Sequence, residues 1–130
     1  MSEAVLNQIL THMEFLGYEI VRKDKHVAAR HQKYFNLVLQ DLGFGVLFTA
    51  FFGINPLGKR SRGSVLECLN TFNQKAGVCR CYVDKDFDLV IEADYPHSYE
   101  RGAFGVFIDA LNNDLRLLGN EEVNLRQYLE

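Results

Sequence analysis

A glycine-containing segment between a predicted strand and a predicted helix offers the first candidate chemistry. Residues 53–60 read GINPLGKR, which is close to the phosphate-binding pattern G-x-x-x-x-G-K-[ST]. Arg60 stands where that pattern needs a hydroxyl group for magnesium, and Pro56 removes one backbone N–H that would point at phosphate. The sequence therefore predicts a solvated basic loop entering a helix. An anion site formed by Lys59, Arg60 and Arg62 is the alternative.

The cysteines and histidines are the next candidate ligands. Cys79 and Cys81 are two residues apart on a predicted strand, so their thiols share one face of that strand. Zinc sites usually take a C-x-x-C pair on a turn with a second pair elsewhere, and this pattern is missing. The four histidines are scattered along the chain. We therefore expect buried thiols, no metal and no cofactor.

Acidic residues gather around one predicted hairpin turn. The five carboxylates belong to Asp84, Asp86, Asp88, Glu92 and Asp94. A calcium-binding loop with this D-x-D-x-D run would also need a glycine and a distal glutamate, which are lacking here. None of the serines lies in the glycine elbow of a catalytic nucleophile. These residues favour a solvated turn and a protein that is not an enzyme.

The overall composition predicts one folded domain. The chain has 130 residues, of which 48% are hydrophobic, and we expect a single domain over residues 1–130 with a polar tail at 120–130. The net charge of −3 argues against partners that are nucleic acids or membranes, since both favour a basic surface. Three cysteines without a secretory leader favour the cytoplasm.

Periodicity predicts an α+β fold with an antiparallel sheet and three helices, in the order α-β-β-β(β)-α-β-β-α. The helices are expected before Gly17 and over Ser64–Ala76 and Tyr99–Leu118. The strands are expected over Tyr18–Arg22, His26–Arg30, Tyr34–Gln40, Val46–Ile54, Val78–Asp84 and Leu89–Asp94. The predicted turns are short, with a polar turn at 23–25 and two glycines at 41–45, which favours hairpins over parallel connections.

The strand Val46–Ile54 is apolar on both faces, unlike a strand with one solvated face. Either the last helix covers the second face, or another protein does. Phe48, Phe51 and Phe52 are therefore candidate contacts for a polypeptide partner, with burial inside the monomer as the alternative. The same pattern predicts a homodimer.

Two asparagines flank Phe72 on the central predicted helix. Asn70 and Asn73 are three residues apart, beside the apolar stripe. A buried asparagine is costly unless its amide is hydrogen-bonded. We consider both residues as partner contacts, with exposed or capping amides as the alternative.

Three of these segments together resemble the YbjN family of bacterial proteins, which are described as proposed regulators of sensory transduction. The segments are LNTFN at 69–73, CYVD at 81–84 and DLVIEAD at 88–94. Two positions depart from the family pattern: Phe72 stands where the family often has tryptophan, and only Arg101-Gly102-Ala103 represents the glycine-rich approach to the last helix. The resemblance implies the fold of type III secretion chaperones, a homodimer, and a binding or regulatory protein without catalytic residues.

Overall fold

A computed structural model describes residues 2–130. The α-helices are α1 (Ser2–Phe15), α2 (Pro56–Arg60), α3 (Arg62–Lys75) and α4 (Arg101–Leu115). The strands are β1 (Glu19–Arg22), β2 (Val27–Arg30), β3 (Leu37–Asp41), β4 (Gly45–Phe52), β5 (Arg80–Val83) and β6 (Leu89–Pro96). Short 3₁₀ helices cover Arg116–Gly119 and Arg126–Tyr128. No helix in this described range is long and apolar enough to cross a membrane.

The six strands form one antiparallel sheet in the order β1-β2-β3-β4-β6-β5. The strand pairs β1–β2, β2–β3, β3–β4 and β5–β6 are each consecutive in the chain and adjacent in the sheet, as expected for hairpins. The long strands β4 and β6 pair in the middle of the sheet over eight residues each. The predicted α+β fold with an antiparallel sheet and three long helices is confirmed.

The core lies between the sheet and the three long helices, all of which pack on one face. Alternate residues of β4 point toward this layer, and Phe48 is fully buried there. The ring centroids of Phe104 and Phe107 in α4 lie 6.0 and 5.2 Å from that of Phe48. The His12 ring of α1 is 5.1 Å from Phe104, so α1 belongs to the same layer. On the far side of α4, the Cys81 thiol of β5 contacts the Leu69 carbonyl of α3.

Residues 55–63, which the sequence predicted as a loop, contain the short helix α2. The Asn55 side chain accepts a hydrogen bond from the Gly58 N–H at 2.9 Å, and Pro56 begins the helix. These are the usual N-cap and first-turn residues, which explains why a proline and a glycine do not prevent the helix. The final predicted helix ends at Leu115, where a 3₁₀ turn replaces its last residues.

The polar C-terminal segment packs against the body of the protein. Val123 and Leu125 are fully buried, and Leu129 forms a bridge with Ile54. Gly58 allows this approach, because a side chain there would meet Ile54 and Tyr128. The glycine of the phosphate-loop pattern is therefore a packing residue.

Candidate functional site

The face of the sheet opposite the helices is the first candidate surface, and we call it the helix-free face. It has a row of three small apolar residues and a threonine across β1 to β4, and further apolar or aromatic residues lie beside that row on β4, β5 and β6. Its members are Val21, Ala28, Val38, Leu47, Thr49, Phe51, Tyr82 and Val90. The Phe51 ring is 61% exposed and Tyr82 is 43% exposed. Two large apolar rings on a sheet face are typical of an interaction surface.

A hydrogen-bonded cluster lies within this face on β5 and β6, because Glu92 is opposite Thr49 and Arg80 is opposite Glu92. Arg80 donates from Nη2 and Nε to one Glu92 oxygen, at 2.6 and 3.0 Å, and Tyr82 donates to the other oxygen at 3.1 Å. The hydrogen bond to Glu92 raises the pKa of Arg80, and burial beside that carboxylate raises the pKa of Tyr82. Both Glu92 oxygens therefore accept hydrogen bonds, and these bonds hold the Arg80 and Tyr82 side chains in place on this face.

The three phenylalanines of β4 have different positions. Phe51 is exposed on the helix-free face, as a partner contact requires. Phe52 is half-buried on the helix side, with the Phe35 ring 5.5 Å away. Phe48 lies fully inside the core between the sheet and α4. Phe48 is therefore corrected from a candidate contact to a core residue, because adjacent strand residues point to opposite faces.

The two candidate asparagines also differ. Asn70 is exposed on α3. Asn73 accepts a hydrogen bond from the Cys81 N–H at 2.8 Å and donates to the Cys81 carbonyl at 3.1 Å. Its amide is used within the chain, so the capping alternative describes Asn73 better than a partner contact does.

The predicted anion site is largely occupied by side chains and backbone of the protein itself. Lys59 Nζ donates to the Asp86 carbonyl at 2.6 Å and to Asp88 Oδ1 at 2.9 Å. The Arg62 guanidinium carbon lies 4.6 Å above the centroid of Phe87. Arg60 is exposed. An anion at this place would have to displace Asp88 from Lys59, so the geometry does not favour the anion-site hypothesis.

Cys79, Cys81 and Asp114 have structural roles between α3 and β5. Burial raises the pKa of both Cys79 and Cys81 to about 12, and the nearby Asp114 carboxylate adds to the shift at Cys79. Asp114 accepts hydrogen bonds from the backbone N–H groups of Gly77, Val78 and Cys79. It therefore fixes the chain between α3 and β5. In residues 2–130, no three histidine, cysteine or acidic side chains are grouped as metal ligands.

A groove beside α4 is a second candidate surface, which the sequence did not indicate. We call it the α4 groove. It runs between α4, the segment before β3 and the C-terminal segment. Its main lining residues are Tyr34, Phe35, Phe52, Asn112, Arg116 and Leu129. These residues come from separate parts of the chain, so no sequence spacing could predict that they line one groove.

Comparison with known proteins identifies the fold. No protein-family model and no curated protein matches the sequence. Among solved structures, YbjN, a proposed transcription regulator from E. coli, aligns with a TM-score of 0.73 and 14% identity, covering 96% of this chain and 95% of YbjN. The predicted resemblance to the YbjN fold is therefore confirmed at the level of structure.

Two structures from type III secretion systems also align. A chain of the heterodimeric ExoU–SpcU complex of Pseudomonas aeruginosa gives a TM-score of 0.59 at 21% identity, covering 84% of this chain and 93% of that one. The Yersinia pestis chaperone SycH, solved with a stable fragment of YscM2, gives 0.53 at 21% identity, covering 90% and 99%. At these identities the alignments establish a shared fold.

Proposed function

We propose that this protein is a non-enzymatic, cytoplasmic, homodimeric protein that binds another polypeptide and acts as a chaperone-like or regulatory component. The observation that carries the dimer is the helix-free face, where Phe51 and Tyr82 remain exposed. Exposing such rings to water is unfavourable, and a second copy of the chain would remove them from water. The likeness in fold supports a polypeptide partner, because SycH and the ExoU–SpcU chain were solved in complexes with proteins.

The buried thiols support a role without covalent chemistry. A cysteine acts as a nucleophile in its thiolate form, and the raised pKa of Cys79 and Cys81 keeps both protonated near neutral pH. The free state of all three cysteines fits a reducing compartment such as the cytoplasm.

The helix-free face is suited to a second copy of the chain. Its row of small residues, Val21, Ala28 and Val38, permits two sheets to approach at about 10 Å. Residues of both charge signs lie at its edges, including Arg30 beside Glu19 and Arg80 beside Asp94. A two-fold interface needs such self-complementary charge.

The size of this face is also compatible with a dimer. Two strands have eight residues and run about 27 Å, and the other four have four or five residues and run about 13 to 17 Å. With about 4.8 Å between strands the footprint is roughly 500 Å², and the accessible surface of side chains on it is larger. Standard interfaces bury about 800 Å² per partner, so the face is of the right order.

Light scattering after size exclusion tests the dimer. The wild-type protein should have twice the chain mass of 14.9 kDa, and Phe51→Asp should have the mass of one chain because a charge would be buried. Phe44→Asp is the matched control, since Phe44 is 78% exposed in the turn before β4. A monomeric wild-type protein at micromolar concentration would refute the dimer.

Polypeptide binding is tested separately. The tagged protein should capture a polypeptide from its host, and that polypeptide, once purified, should bind the purified protein. If no captured polypeptide binds the purified protein when the two are mixed alone, the proposed function is wrong.

A further inference from the structure

The α4 groove consists of three adjoining hollows. They have volumes of about 360, 310 and 570 Å³. Tyr34, Asn112 and Arg116 line both of the first two hollows, and Phe35 and Arg116 continue into the third. A compact small molecule occupies one cavity of such size, whereas a row of connected hollows fits an elongated occupant. The shape therefore favours a polypeptide segment.

The largest hollow is mainly apolar. Its walls are Phe35 and Phe52, which meet edge to face, together with Leu115, Leu118 and Leu129. Phe35 is 36% exposed, so its ring is accessible from solvent. This part of the groove suits an apolar side chain of the occupant.

The charged residues along the groove are mostly basic. Lys33, Arg116 and Arg126 line it, and each of them is exposed. The acidic side chains on its walls are Asp109 and Glu130. The groove thus carries a positive excess although the chain has a net charge of −3. Arginine and lysine at the rim select acidic residues in a partner and increase the association rate.

The Asn112 amide lies in the wall but offers no accessible acceptor to an occupant. Its nitrogen donates to the Tyr18 hydroxyl at 3.2 Å, and the residue is 8% exposed. Its oxygen is buried and accepts no hydrogen bond from residues 2–130. The groups that an occupant can contact at this point are therefore Tyr34 and Arg116, which line the same two hollows.

We infer that the α4 groove holds an acidic, apolar segment of the polypeptide partner, with carboxylates at Arg116 and Arg126 and an apolar side chain between Phe35 and Leu129. This assignment rests on the proposed function and specifies the kind of sequence that is bound. The helix-free face is left to the second copy of the chain.

Fluorescence anisotropy tests the assignment with a short labelled peptide of alternating leucine and aspartate. The double variant Arg116→Glu, Arg126→Glu should bind this peptide about tenfold or more weakly, because two attractive contacts become repulsive. The double variant Arg60→Glu, Lys25→Glu makes the same charge change at exposed sites outside the groove and should bind like the wild type. A single Lys33→Glu variant should show a smaller loss.

Two further measurements complete the test: the preference between acidic and basic peptides, and binding of the natural partner. The corresponding leucine–lysine peptide should bind the wild type more weakly than the aspartate peptide does. Equal binding of the two peptides, or an unchanged affinity of the groove variant, would overturn the assignment. If the groove variant binds the captured natural partner as the wild type does, the groove is wrong while the proposed function stands.

Discussion

The Asn73 side chain forms a two-hydrogen-bond bridge with the backbone of Cys81. Cys81 lies in β5, at the edge of the sheet, so the amide takes the place of a neighbouring strand. Two residues earlier, the Cys79 N–H donates to Asp114 at 2.9 Å. Unpaired edge groups invite pairing with another chain, and these two side chains occupy them. We infer that partners use side-chain surfaces of this protein more readily than the β5 edge.

Replacing Asn73 should therefore destabilise the protein. Asn73→Ala removes both hydrogen bonds to Cys81, and we expect the free energy of unfolding to fall by about 1–2 kcal/mol. Urea unfolding followed by circular dichroism measures the change. Asn70→Ala is the matched control, because Asn70 is exposed one helical turn earlier. Equal stability of the two variants would contradict the role of the bridge.

The contact between Lys59 and Asp88 should make stability depend on pH. Hydrogen bonds from the Ile54 N–H and from Lys59 lower the pKa of Asp88. A carboxyl group with a lower pKa in the folded state stabilises the protein above its unfolded pKa, and that stabilisation is lost as pH falls through the folded value. We therefore expect wild-type stability to fall on acidification below the ordinary aspartate range.

Urea midpoints across the acidic range measure this loss. Asp88→Asn should have a flatter acid limb than the wild type, because the substituted amide does not titrate there. Asp86→Asn serves as the control, since Asp86 contacts Lys59 through its backbone carbonyl. If the urea midpoints of Asp88→Asn fall with acidification as steeply as those of the wild type, Asp88 does not cause the pH dependence.

The thiols should react at very different rates in the folded and unfolded protein. Cys79 and Cys81 are buried with pKa values of about 12, and Cys68 is partly exposed. At neutral pH we expect iodoacetamide to modify Cys79 and Cys81 only after denaturation, with Cys68 modified first in the native state. Mass spectrometry of digested samples gives the order. Rapid native labelling of Cys81 would show that this part of the core opens readily.

The prediction of the fold succeeded where the signals were local. The alternation in residues 78–94 predicted β5 and β6, and the chain between them is a short turn. Their exact limits differ by one or two residues, because strand ends depend on hydrogen bonds to neighbouring strands. The helix α2 was missed because Pro56 and Gly58 are usual loop residues, and the cap from Asn55 that orders them could not be foreseen.

The candidate surfaces were predicted only in part. The sequence showed that the strand Val46–Ile54 is apolar on both faces, and it could not indicate which face the helices cover. The structure buries Phe48 and exposes Phe51. Lys59 and Arg62 were grouped by sequence as an anion site, and tertiary contacts with Asp88 and Phe87 use them instead.

By itself, the sequence determined the antiparallel sheet, the three long helices and their order, because hydrogen-bonding geometry and hydrophobic period act over a few neighbouring residues. Only the tertiary structure decided which sheet face remains open and that Phe35, Asn112, Arg116 and Leu129 meet in one groove. The physical reason is that such convergence depends on how the layers pack, and packing joins residues far apart in the chain.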